Sequence, residues 1–402
     1  MSTADTAIPA LSPTHYLDGM RQRLRSGDVG GLPVILGLAL IWIIFWYLNP
    51  NFLTGRNLTN LALQITSMGT IAVGLVLVLL LGEIDLSVGA VSGLAAAVMA
   101  VVNVQHGLPA VLAIGAAILV GLAIGVLQGF WFTFLRIPSF VVTLSGLLAW
   151  QGVLLLVLGQ TGTINVYDPT IVALTNTFLD PWQGWVVAAV VLAVVTAGQV
   201  NRHRRRRAAG LPPGSLYERA GRIALAAVVV LIAAAVLNGE RGVPLALLIL
   251  VGFVVVFDFI SRRTRFGRSI YAAGGNAEAA RRAGISVSGI RIAVFGLAGA
   301  LAACGGILAT SRLLAVNQSS GGADLLLDSI ASAVIGGTSL FGGRGTVWAA
   351  LAGALVIGSI TNGMDLLALA SWTKYIVTGG VLLLAVTIDA LARRGRQAAG
   401  RA

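Results

Sequence analysis

The feature that most constrains this chain is a series of apolar runs, each close to the length needed to cross a bilayer. A helix needs about 20 apolar residues to span roughly 30 Å of hydrocarbon. Such runs fall at residues 32–49, 58–81, 88–104, 109–135, 138–158, 182–200, 223–237, 243–260, 290–310, 325–341, 346–364 and 372–391. Inside lipid every backbone N–H and C=O must be satisfied by the protein itself, so only helices and closed barrels cross. Barrel strands alternate apolar and polar residues, and these runs do not. The fold class is therefore all-α, a polytopic membrane protein of ten to twelve transmembrane helices. The composition agrees, with 10% charged residues against roughly 25% in soluble domains.

Charge placement orients the bundle. The net charge of +12 invites a nucleic-acid reading, but the arginines gather in a few loops rather than along a stripe. Residues 201–222 hold Arg204 to Arg207, residues 261–289 hold Arg262, Arg263, Arg265 and Arg268, and the C-terminal residues 392–402 hold Arg393, Arg394 and Arg396. Twelve crossings put all of these on one side, which is the positive-inside pattern. Residues 1–31 then read as an uncleaved cytoplasmic tail, with Arg21, Arg23 and Arg25 ahead of the first run. Residues 32–391 read as the transmembrane domain, and both termini as cytoplasmic. No nucleic-acid partner is expected; the surrounding partner is lipid.

Within residues 261–289 the stretch NAEAARRAGI, Asn276 to Ile285, carries the signals of a short, doubly capped helix. Asn276 can accept a hydrogen bond from a free amide. Glu278 lies in the first turn, where the helix dipole favours negative charge. It precedes Arg282 by four residues, the better order for an ion pair. Gly284 can adopt the left-handed conformation that ends a helix. So short a helix is unstable alone and needs a surface to pack on. An ordinary loop helix and a docking element both fit this pattern.

Glu83, Asp85 and Ser87 lie between the second and third runs. Carboxylates at membrane depth are costly and usually functional. Alternatively, the segment 82–87 is a tight turn at the membrane surface in which Asp85 caps the third helix. Asp328, Ser329 and Asn362 lie within spans; they suit a polar solute path or hydrogen bonding between helices. The glycine-dense segment 336–345 reads either as irregular backbone lining a cavity or, as preferred here, as a tight turn on the arginine side. Gly121, Gly125 and Gly129 form a small-residue face for close helix packing.

Several classes are excluded. A phosphate-binding P-loop needs a Gly-Lys pair, and none occurs. His15, His106 and His203 are scattered, and the single Cys304 cannot complete a metal cluster. No catalytic residue, metal or bound cofactor is expected.

Three stretches, GEIDLSVGAV (82–91), RFGRSIYAAGGNAEAARRAGI (265–285) and IGGTSLFGGRGT (335–346), give the chain a family likeness. It resembles permease subunits of bacterial ATP-driven sugar importers of the ribose, xylose and arabinose type. The extra residues near 201–250 resemble the longer, xylose-type branch. The resemblance implies a monosaccharide substrate and a coupling helix made of Asn276, Glu278, Ala279, Ala280, Arg281, Arg282 and Gly284. It also implies a second permease copy, a cytoplasmic subunit that binds ATP-Mg, and an extracytoplasmic sugar-binding protein. A substrate pathway through Glu83, Asp85, Ser87, Asp328, Ser329 and Asn362 is the accompanying expectation. The rival reading is a proton-coupled secondary transporter that uses Glu83, Asp85 or Asp328 as its relay.

Overall fold

A computed structural model describes residues 32–210 and 216–398. The arginines before residue 32 and the last four residues lie outside the described range. Fifteen α-helices follow one another: α1 (Leu32–Leu48), α2 (Gly55–Leu80), α3 (Val88–Ala100), α4 (Ala110–Leu135), α5 (Ser139–Leu158), α6 (Pro169–Asn176), α7 (Pro181–Ala208), α8 (Leu216–Asn238), α9 (Leu245–Arg263), α10 (Arg265–Gly275), α11 (Ala277–Arg282), α12 (Val287–Leu313), α13 (Ala323–Ile335), α14 (Trp348–Leu366) and α15 (Ser371–Ala398). Each expected span overlaps a helix. Among the described residues, nine helices are long and apolar enough to cross a membrane.

The hub is α2, apolar on every side along its second half and 89% buried over its most apolar window. A helix hydrophobic all round belongs inside a bundle. It packs against α12, α13, α14 and α9. The glycine face of α4 meets α12: side chains at Gly121 and Gly125 would strike the carbonyls of Gly299 and Phe295. The two backbones approach as small-residue membrane interfaces do. Helices α7 and α8 stand at the rim, 11% buried, and pack mainly on each other.

The structure corrects four expectations. The strongly basic loop at 201–222 is mostly helix. Helix α7 runs on to Ala208 and carries Arg204 to Arg207 as its final turns, and α8 begins at Leu216. The short seventh span is therefore a 23-residue helix. The polar loop at 160–181 contains α6, capped by Asp168 through Thr170 N at 2.8 Å. It also contains a strand, β1 (Thr163–Asn165), antiparallel to β2 (Ala315–Asn317) with Ile164 opposite Val316. The largest correction concerns 325–341. Helix α13 has only 13 residues, about 20 Å at 1.5 Å per residue, too short to cross.

Its shortness has a cause at each end. The chain between β2 and α13 folds back into the bundle. Side chains at Gly89 and Gly93 of α3 would collide with the Gly321 and Ser320 carbonyls. At the far end Gly336 presses on the Ala349 carbonyl of α14. Helix α13 thus starts within the bundle and stops at the arginine-bearing end.

Candidate functional site

Two places concentrate polar chemistry, one at each end of the bundle.

At the arginine-bearing end, the predicted short helix is α11. Asn276 accepts from Ala279 N at 2.9 Å. Gly284 takes φ +80°, and its N–H donates to Arg281 O at 2.9 Å while Ile285 N donates to Ala280 O at 3.0 Å. These two bonds are the Schellman closure of a helix C-terminus. A side chain at Gly284 would meet nothing within 4 Å, so glycine is needed there for its backbone alone. Glu278 pairs with Arg282 at 3.2 Å and Arg281 at 3.6 Å. Ala280 is buried beneath the helix, whereas Glu278, Ala279, Arg281 and Arg282 are exposed.

The platform under α11 is α10, which lies inside what reads from sequence as a loop. Thr264 caps it through Gly267 N at 3.1 Å, and Gly267, Ile270 and Ala273 form its buried face. Gly274 sits against the Leu80 carbonyl at the end of α2, and that same carbonyl accepts from Gly343 N at 2.8 Å. Tyr271 Oη donates to Gly345 O at 3.0 Å. Helix α10 therefore touches both the end of α2 and the turn between α13 and α14. The segment 336–345 is a turn packed on protein, as preferred from the sequence.

Glu83, Asp85 and Ser87 lie at this same end. Glu83 pairs with Arg291 at 2.7 Å, and Arg291 also stacks over the Phe132 ring. Asp85, 2% exposed, accepts from Ser87 N at 2.8 Å and Ser87 Oγ at 2.7 Å, and Ser87 Oγ lies 3.0 Å from Gln128 Oε1. The carboxylate thus takes an amide at the start of α3. Ser139 and Thr143 of α5 bind the backbone of Ile84. This is a polar knot closed within the protein at Asp85 and Ser87, and none of the three lines the cavity described next.

The cavity lies at the opposite end, beside the C-terminus of α12. Its volume is about 660 Å³, within the usual range for small-molecule sites. Four of its polar lining groups are Gln64 of α2, Arg312 of α12, and Asp324 and Asp328 of α13. Asp365 at the end of α14 and Tyr375 of α15 also line it. Lys374 pairs with Asp365, and Tyr375 Oη donates to Asp324 at 3.2 Å. The backbone from Asn317 to Gly322 forms one wall. Asn317 Oδ1 holds it by accepting from Ser319 N at 3.0 Å and Ser319 Oγ at 2.8 Å. Irregular backbone at depth is tolerated where it lines such a space.

Of the six residues expected along a substrate path, Asp328 alone lines this cavity. Ser329 is fully buried, and its hydroxyl donates to Leu325 O at 2.6 Å. Asn362 is one layer back: it donates to Gln64 Oε1 at 3.1 Å and accepts from Asn57 at 2.7 Å, so it fixes the Gln64 amide. Sequence reasoning missed Gln64 and Arg312. Gln64 carried the same signal as Asp328, a polar group inside an apolar run.

Residues 57–386 match a family described as branched-chain amino acid transport system / permease component. The chain is 39% identical to the xylose transport system permease protein XylH of Escherichia coli (strain K12), over 92% of this chain and 94% of that one. It is 37% identical to XylH of Haemophilus influenzae, over 91% and 98%. It is 32% identical to the ribose import permease protein RbsC of Bacillus subtilis (strain 168), over 93% and 94%. No solved structure matches the chain.

Proposed function

Since this chain belongs to the branched-chain amino acid transport system / permease component family, we propose that it is the membrane subunit of an ATP-driven monosaccharide importer. Xylose is the first candidate sugar, because the two XylH relatives, at 39% and 37% identity, match nearly the whole length and exceed the 32% of the ribose permease RbsC. Ribose is the second. The chain supplies the path. ATP-Mg belongs to a separate cytoplasmic subunit, and a sugar-binding protein delivers the solute on the other side. A second copy of this chain completes the pore.

The observation that carries this reading is α11: a rigidly closed helix whose charged residues face outward while its buried alanine faces the platform. Those exposed groups are free to enter a cleft on the ATP-binding partner. A push on α11 would pass through α10 to the end of α2 and the α13–α14 turn, which it touches. Packed bodies shift between discrete arrangements rather than bending smoothly, which suits alternating access. The proton-coupled alternative loses ground on the geometry. Glu83 is paired with Arg291 and Asp85 is closed off within the protein, which leaves that alternative Asp328 alone, the one of its three acids that lines the cavity.

The test is reconstitution of the chain with its ATP-binding and sugar-binding partners in sealed vesicles. ATP should drive uptake, and Glu278→Arg or Gly284→Val should leave ATP hydrolysis running without uptake. Uptake by this chain alone under a proton gradient would refute the proposal.

A further inference from the structure

We infer that Arg312 and Asp328 are the two groups that read the solute in the cavity, and that they fit a neutral polyol; this deepens the sugar-importer reading and rests on it. Arg312 projects from the last turn of α12 and Asp328 from the second turn of α13. Both line the cavity. Among the described residues neither side chain has a hydrogen-bond or ion-pair partner, whereas Glu83, Asp258, Glu278 and Asp365 are all paired. A charge at membrane depth without a partner is costly. Here two opposite charges stand in one cavity on separate helices without closing on each other.

The chemistry of the missing partner follows from that. It must donate to a carboxylate and accept from a guanidinium. A hydroxyl does both, and a sugar presents several. An apolar solute would leave both charges unsatisfied, the situation that gives polar sites their large discrimination. An anion would meet Asp324, Asp328 and Asp365 against Arg312, with Lys374 already held by Asp365. Like charge at short range in a poorly hydrated space is strongly unfavourable. Gln64, fixed by Asn362, adds a neutral amide to the same wall.

The delivering protein sets the apparent uptake affinity, so sugar binding is best read at the cavity itself. In the assembled complex, Cys304→Ala with Ala309→Cys places one thiol on the lining. D-Xylose and D-ribose should slow its labelling by a small methanethiosulfonate. Asp328→Asn or Arg312→Gln should raise the sugar concentration for half-protection by about tenfold, the scale of a lost charge-assisted hydrogen bond. In the parent a cationic reagent should label faster than an anionic one of equal size, and Asp328→Asn should narrow that preference. Unchanged protection and unchanged reagent preference in both variants would overturn the inference while leaving the importer reading intact. Should neither sugar be taken up by the parent complex, the importer reading itself fails. If Asp328→Asn does not assemble, Arg312→Lys decides, because it keeps the charge but loses the planar fork. Weaker protection supports the assignment, and parental protection refutes it.

Discussion

The two ends of the bundle treat charge and backbone in opposite ways. At the arginine-bearing end Glu83 pairs with Arg291, Glu278 pairs with Arg281 and Arg282, and Asp85 is held by Ser87, so each of these acids has a partner within the chain. Backbone there packs on backbone, with Gly274 and Gly343 against Leu80 and Gly342 against Gly82. At the other end Arg312 and Asp328 stand open to a cavity, and a folded-back loop walls it. One end is built to be tight and to receive contact from outside. The other leaves hydrogen-bonding capacity for something that is not part of the chain. Under the proposed importer function, that asymmetry would suit a path closed on one side and open on the other.

The comparison can be broken most severely at the glycine seam. Gly274→Val places a side chain into the Leu80 carbonyl and should cost about 3 kcal/mol or prevent assembly. Gly115→Ala, where nothing lies within 4 Å, should leave thermal unfolding in nanodiscs unchanged. Equal losses from both would mean the seam is not especially tight. Next comes the Glu83–Arg291 pair. Glu83→Gln leaves Arg291, a quarter exposed, without its carboxylate and should cost about 2 kcal/mol. Joint replacement with Arg291→Met should recover part of that, and additive losses in the double variant would deny the coupling.

A smaller and more local effect is expected at α11. Asn276→Ala should cost about 1 kcal/mol of helix closure. It should appear as faster amide exchange at Ala279 to Ile285 with the global melting temperature unmoved. A global shift would show that α11 belongs to the core rather than to the surface. The smallest effect is at Asp168, on the cavity end. The hydrogen bond from Asn103, at 3.0 Å, holds its carboxyl below the usual range. Its contribution to stability is therefore whole above the ordinary carboxylate pKa and fades as pH falls through the lowered folded value. Asp168→Asn should lower stability slightly at neutral pH, where that contribution is whole, and flatten the acid limb. Unchanged stability at neutral pH with the acid limb intact would show that the Asp168 charge contributes nothing.

The spans and the caps of α11 were legible in the sequence because their causes are local. Apolar length sets a crossing, and Asn276 and Gly284 act on amides within a few residues. The tight face of Gly121 and Gly125 could be read for the same reason, since spacing by four puts small residues on one side. What could not be read depends on distant parts of the chain. Glu83 finds Arg291 across some two hundred residues of sequence, so its role as a structural ion pair left no mark nearby. The depth of the chain from Asn317 to Gly322 is fixed by Gly89 and Gly93 of α3; by composition it reads as a surface loop. The Gly336-Gly337 pair did mark the true end of α13, but the apolar residues beyond it hid the stop.

Helix α13 is too short to have a hydrophobic thickness of its own. Membrane thickness tilts or strains ordinary spans because their two ends seek the two interfaces. This helix ends at Gly336 against α14 and begins at a loop pressed on α3, so its height is dictated by protein neighbours alone. A thinner or thicker bilayer would tip the helices around it, and Asp328 would ride with them.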